Sequence, residues 1–360
     1  MFKMMKIKCK FRVSLLIGVG IFCLITSSCE SNFEKKDPFK VISLEPLSDE
    51  IPFKELGSGK ILFYLINSSD NSGLYVIDID QKITYGFKLN SSIQMPYISP
   101  DGSKIACLLR KSTDPYPPTW NIYCMNIDGS NCIPVTKDEG GSFPTWTPDG
   151  LKILYKKGVS WDGHLYMLSA TENSTDRVEL IKFAYDDDPG SCIVACGGFS
   201  MSPNGQLVCA SPHGCINTDG ILMIEPYIGQ SGVSLLLPNT LNEQSIIAVF
   251  SPDGTKIAMA TQEKESLNNQ QAMWIKSMDP DGTNLTPLAS IKTSRPLINY
   301  FTGDPLISLC WSPDGKKILF NAPNEQNDGF HLMLVNADGT GLIQVTDKMS
   351  VNDLYVSWGR

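Results

Sequence analysis

The chain has 360 residues, a formal net charge of −8, eleven cysteines and only three histidines. An acidic surface is repelled by phosphate backbones, which sets nucleic-acid binding aside. The length is large for one compact core, so internal repetition is the first thing to look for.

In chain order, the first element predicted is a leader. Lys3, Lys6, Lys8, Lys10 and Arg12 precede an apolar run from Val13 to Thr26, too short to span a bilayer comfortably, and small residues then lead to Cys29. The stretch LITSSCES resembles a bacterial lipobox, with Thr26 where leucine is usual. The resemblance implies that Cys29 becomes the lipidated first residue of the mature protein; the alternative is an ordinary signal peptide cut near Ser28. Acyl chains on one residue would anchor the protein to a membrane without a transmembrane helix. The expected organisation is a leader over 1–28, a lipidated cysteine with a flexible tether over 29–52, and one domain over 53–360. The tether is inferred from its polar composition and scattered prolines.

From residue 57 onward the chain repeats itself. YISPDGSKIACLL, TWTPDGLKILYKK, SMSPNGQLVCAS, VFSPDGTKIAMAT and CWSPDGKKILF carry the turn glycines Gly102, Gly150, Gly205, Gly254 and Gly315, roughly 50 residues apart. Ser-Pro-Asp-Gly is a tight turn: proline presets φ at the second position, and glycine takes the conformation a side chain resists. Apolar runs on both sides make it a β-hairpin. Each unit continues into a third strand, such as NIYCMNI or HLMLVNA, a second turn of the DGSN, DGTN or DGTG type, and a short fourth strand. Four-stranded units at this spacing predict a β-propeller.

The ends complete the count. GSGKILFYLINSS opens a unit that lacks its first strand, and DLYVSWGR is a first strand with nothing after it. Trp358 stands there where Trp146 and Trp311 stand in their units. The fold class expected is all-β, a six-bladed propeller of four-stranded blades, closed when the C-terminal strand completes the first blade. Closure removes free strand edges around the axis.

The WSPDG repeat resembles that of the TolB-like (WD40-like) propellers, over residues 53–360. TolB is a periplasmic component of a cell-envelope complex and carries an α/β domain before its propeller, which this chain is not expected to have. Prolyl-oligopeptidase-type enzymes carry similar repeats followed by a hydrolase domain. The resemblance implies a cell-envelope protein attached to the outer membrane, whose partner is an envelope protein or peptide.

Three cysteines fall in the leader or at the lipid site. In an exported chain the remainder can form disulfides. Cys192, Cys196, Cys209 and Cys215 cluster in the fourth unit and are the candidates for pairing. Zinc held by this group with His213 is the alternative that the spacing allows, and the expectation adopted is no metal and no cofactor. Cys107 and Cys310, on strands, read as small buried hydrophobes.

Motifs for chemistry are sparse. GxSxG, HExxH and the phosphate-binding GxxxxGK[ST] are absent. His164 and His331 hold equivalent places in the third and sixth units, far apart on a ring, and read as strand residues. The Asp-Gly turns resemble the start of a calcium loop without its closing glutamate, and suit hairpin turns equally.

In a meander, the turns after strands one and three lie at one end and the longer, variable connections at the other. Variable loops on a rigid scaffold are where binding residues concentrate. The candidates on that long-loop face are Tyr116, Trp120, Trp161, Asp162, Tyr185, Asp187, Tyr300 and Phe301, aromatics among acids that suit a protein or peptide interface. The rival expectations are a lyase or hydrolase working on carbohydrate or peptide in the central channel, and a glycan-binding protein.

Overall fold

The computed structural model describes residues 39–65, 73–110, 120–137, 140–159, 162–184, 198–211, 219–227, 230–263, 271–294, 296–298, 306–324, 329–346 and 355–360. In each repeat the turn is built as its chemistry dictates. In blade 2 the N–H of Gly102 donates to the carbonyl of Ser99 at 2.9 Å, and the N–H of Ser99 donates to Lys104 at 2.8 Å. Asp101 accepts from the Ser99 hydroxyl at 2.5 Å and from the Ser103 N–H at 3.0 Å. The carboxylate thus replaces water for the turn's free donors. Asp149, Asp253 and Asp314 repeat the arrangement in blades 3, 5 and 6. Blade 4 shortens it: Asn204 takes the acidic position, and Ser202 pairs with Gln206.

These hairpins extend into six antiparallel sheets, five of four strands and one of five. Blade 2 is representative, with Ser92–Ile98 innermost, then Lys104–Arg110, Asn121–Asn126 and Ile133–Pro134. Every blade follows the same sequential order. Blade 1 is closed by the chain's other end: Val356–Gly359 pairs with Lys60–Leu65, matching Trp358 with Ile61. The structure is therefore the six-bladed propeller that the repeat predicts.

The second turns have a packing role as well. Gly129 of blade 2 lies against the ring of Phe87 in blade 1, and Gly282 of blade 5 against the backbone of Leu236 in blade 4. Each of these two turns rests on the fourth strand of the preceding blade.

Apolar side chains fill the spaces between blades. Leu62, Val76 and Phe87 of blade 1 meet Ile105, Cys107 and Leu109 of blade 2. Ala106, Leu108 and Ile122 then meet Ile153 and Tyr155 of blade 3. Each sheet buries both faces, so strand two reads as a nearly continuous apolar run.

The expectation of a tether reaching residue 52 needs revision. Val41–Leu44 adds a fifth strand to blade 1, pairing Val41 with Leu89 and Leu44 with Gly86. Phe39 is buried and meets Tyr123 of blade 2 edge-on, ring centroids 5.2 Å apart. Ile51 and the fully buried Leu56 join the core shared with blades 5 and 6. Residues 39–56 thus form a strap around blade 1, and the propeller unit begins at Phe39. The physical reason is that a strand at a sheet edge needs only one apolar flank. Its sequence is then as polar as that of a linker.

Candidate functional site

The first strands of the six blades surround a central channel with a cavity of about 430 Å³. This lies within the range of roughly 300–1,000 Å³ usual for ligand pockets. Its walls include Tyr97, Phe199, Ile247 and Leu309, and the Ser-Pro-Asp-Gly turns form its rim through Pro100, Asp101, Pro148, Asp149, Pro252 and Pro313. Arg360 is also at the rim. The residues that build the hairpin turns thus also line the channel mouth.

Hydroxyls and indoles hold the inner strands in a ring. The Ile98 N–H donates to the Ser357 hydroxyl at 3.0 Å, joining blade 2 to blade 1. Phe250 N–H donates to Ser200 at 3.0 Å between blades 5 and 4, and Val356 N–H donates to Ser308 at 2.7 Å between blades 1 and 6. The indole N–H groups of Trp146 and Trp311 reach back to the carbonyls of Tyr97 and Val249, at 3.0 and 3.2 Å. Trp358 instead donates to Ser58 within its own blade at 3.0 Å. These hydroxyls line the channel yet are engaged in holding it. At the far end of two inner strands, Met95 and Phe143 adopt φ of 50° and 52°, a conformation uncommon for such side chains.

The electrostatics of the rim follow from its turns. Hydrogen bonds from Thr147 and the Leu151 N–H keep the Asp149 carboxyl below its ordinary pKa. At Asp101, burial pulls the other way but is outweighed by Ser99 and Ser103, and the pKa is again lowered. The rim therefore carries carboxylates that stay ionised. Deeper in, burial pushes the Cys310 thiol far above its usual range and does the same to the Tyr97 phenol. A thiolate nucleophile needs the reverse shift.

Of the long-loop candidates, Trp120 is described. It is half-buried against the blade 2–blade 3 core, with the Arg110 guanidinium 5.9 Å from its ring. Asp162 is placed on the backbone, where it pairs with Val159 and Ala184 at the end of its hairpin. Tyr116, Trp161, Tyr185, Asp187, Tyr300 and Phe301 lie outside the described residues, as do Cys29, Cys192, Cys196 and Cys215. Cys209 is fully buried on the second strand of blade 4. Cys107, equally buried, is unbridged. His164 sits 3.2 Å from the carboxylate of Glu179 in its own blade, and not with His331. Among the described residues no group of three or more His, Cys, Asp or Glu side chains could hold a metal ion. The carboxylates of Asp128, Asp281 and Asp338 accept hydrogen bonds within their own turns.

Neither a protein family nor a curated protein matches the sequence. Solved structures do match the fold. TolB from Acinetobacter baumannii superposes with a TM-score of 0.58 at 18% identity, over 84% of this chain and 66% of TolB. A protein of unknown function from Desulfotomaculum acetoxidans gives 0.51 at 12% identity, over 84% of this chain and 99% of that one. Puromycin hydrolase gives 0.50 at 13% identity, over 85% and 48%. What they share with this chain is the propeller. The chain spans just under two thirds of TolB and about half of puromycin hydrolase, so the likeness concerns architecture and not activity.

Proposed function

We propose that this is a non-enzymatic, lipid-anchored cell-envelope protein whose propeller binds an extended segment of a partner protein. The observation that carries the reading is the channel. All six blades contribute to it, its hydroxyls hold the ring together, and the Cys310 thiol in its wall is held protonated. Such a lining presents shape, aromatic surface and fixed charge to a ligand. A hydrolase or lyase would need an activated nucleophile or an acid–base pair instead. The ionised rim favours a segment carrying a basic residue. The leader and Cys29 support membrane attachment, which incorporation of labelled fatty acid would test, with Cys29→Ala expected to abolish it.

Photo-crosslinking in cells tests the binding. Probes go at Leu151, 68% exposed on the blade 3 turn, at Trp161 and Tyr300, which the sequence assigns to the long loops, and at Ile42 on the perimeter. One defined protein captured at Leu151, and not at Ile42, supports entry at the turn end. Capture at Trp161 and Tyr300 alone moves the site to the long-loop face. Equal capture everywhere, or none, overturns partner binding.

A further inference from the structure

The outermost strand of a blade is an open template for pairing with another chain, and proteins guard such edges by shortness, charge, proline or a cover. Five blades here show such a device. In blade 1 the edge is covered by Val41–Leu44. In blade 2 it is two residues long, and the N–H groups of Asn173 and Ser174 from blade 3 bond the carbonyls of Pro134 and Val135 at 2.8 and 3.1 Å. The edge of blade 6 is again two residues, Ile343–Gln344. Blade 3 carries Glu179 and Lys182 on its edge, and blade 5 carries Pro287 and Lys292.

Among the described residues, the edge of blade 4 is neither short nor charged nor overlaid by a further strand. Its outer strand, Gln230–Pro238, is nine residues long with no charged residue, and proline comes only at its last position. Val233 is 37% exposed, Leu235 is 39% exposed, and Leu241 just beyond the strand is 94% exposed. We infer that this edge is a self-association surface, at which the outer strands of two copies pair antiparallel into one continuous eight-stranded sheet.

The occupant follows from charge and symmetry. In a two-fold pairing an edge meets itself, so charged side chains there tend to face their own kind. This edge is neutral throughout. With the axis at Ser234, Val233 of one copy lies opposite Leu235 of the other, and both exposed side chains become covered. Blade 1 supplies the geometric precedent. The turn of blade 2 rests on Phe87 while Val41–Leu44 still pairs along the same strand. In blade 4 the neighbouring turn meets the backbone of Leu236 instead of a side chain, so the added strand must seat beside that turn.

Sedimentation equilibrium of the full chain, in density-matched detergent, tests this. The native protein is expected at twice the chain mass. Leu235→Lys and, independently, Ser234→Pro should each reduce it to the chain mass with the circular-dichroism melting curve unchanged. Leu285→Lys, at a comparably exposed leucine in blade 5 (42%), should leave the mass doubled. A native protein that sediments at the chain mass at its highest soluble concentration overturns the inference. So does a doubled mass that survives Leu235→Lys.

Discussion

A β-carbon placed on Gly102 would stand 1.9 Å from the carbonyl oxygen of Arg360, and the glycine itself has φ of +71°. The backbone of Arg360 is locked to the same turn by its N–H, which donates to Pro100 at 2.9 Å. Arg360 therefore occupies the place where blades 2, 4 and 5 present Pro100, Pro203 and Pro252 to the glycine of the next turn.

Substitution at that glycine separates conformational strain from contact. Gly205 of blade 4 has φ of +88°, and a β-carbon there would meet nothing within 4 Å, so Gly205→Ala should cost only the left-handed penalty of about 1–2 kcal/mol. Gly102→Ala must also displace Arg360 and should cost clearly more. Chemical denaturation of both variants checks this, and equal losses would show that the seam yields without penalty.

Ring closure depends on Trp358. Its ring is buried to 8% exposure and its indole N–H is satisfied by Ser58. Trp358→Ala should destabilise the protein by about 3–5 kcal/mol. Trp358→Phe keeps most of the packing, and the expected loss is about 1–2 kcal/mol for an orphaned Ser58 carbonyl. Urea unfolding distinguishes the two, with the larger loss assigned to packing.

The strap predicts a second stability difference. Phe39→Ala removes a ring packed edge-on against Tyr123 and should cost about 3 kcal/mol or more. Ile42→Ala, four-tenths exposed on the same strap, should stay within about 0.5 kcal/mol. Thermal melts that rank the pair the other way would return residues 39–52 to the status of a tether.

Acid should loosen the turns. The carboxyls of Asp101, Asp149, Asp253 and Asp314 all have lowered pKa values in the folded state. The stability they confer is present above the unfolded carboxylate pKa of about 3.9 and is lost as pH falls toward the folded values. Asp253→Asn copies the residue that blade 4 uses naturally at Asn204. At neutral pH it should be less stable than the native chain, because the contribution of the Asp253 carboxylate is fully present there. Its stability should then fall less steeply below pH about 4, as melting temperatures measured across pH would show.

Much of this architecture is legible in the chain itself. Glycine and proline fix turn conformation locally, so SPDG and Trp358 disclose blade number and closure from short-range chemistry alone. The strap escapes the same reading because Val41–Leu44 finds its partner some forty residues away, and four residues with one apolar flank carry no periodicity. The channel lining escapes for another reason. Alternation along a strand reveals two faces of a blade, whereas the channel lies along an edge, and Ser200, Ser308 and Ser357 mark it only as isolated hydroxyls among apolar neighbours. The cue available is that small polar residues recur on first strands that are otherwise buried.

The chain joins the propeller at its perimeter, where Lys40 pairs with Asn90 and Val41–Leu44 with the last strand of blade 1. A mechanical load applied upstream of Phe39 would act first on that short ladder, opening it pair by pair like a zip. The axial channel would stay unloaded until the ladder had come away, so the strap would serve as a fuse between the upstream chain and the ring.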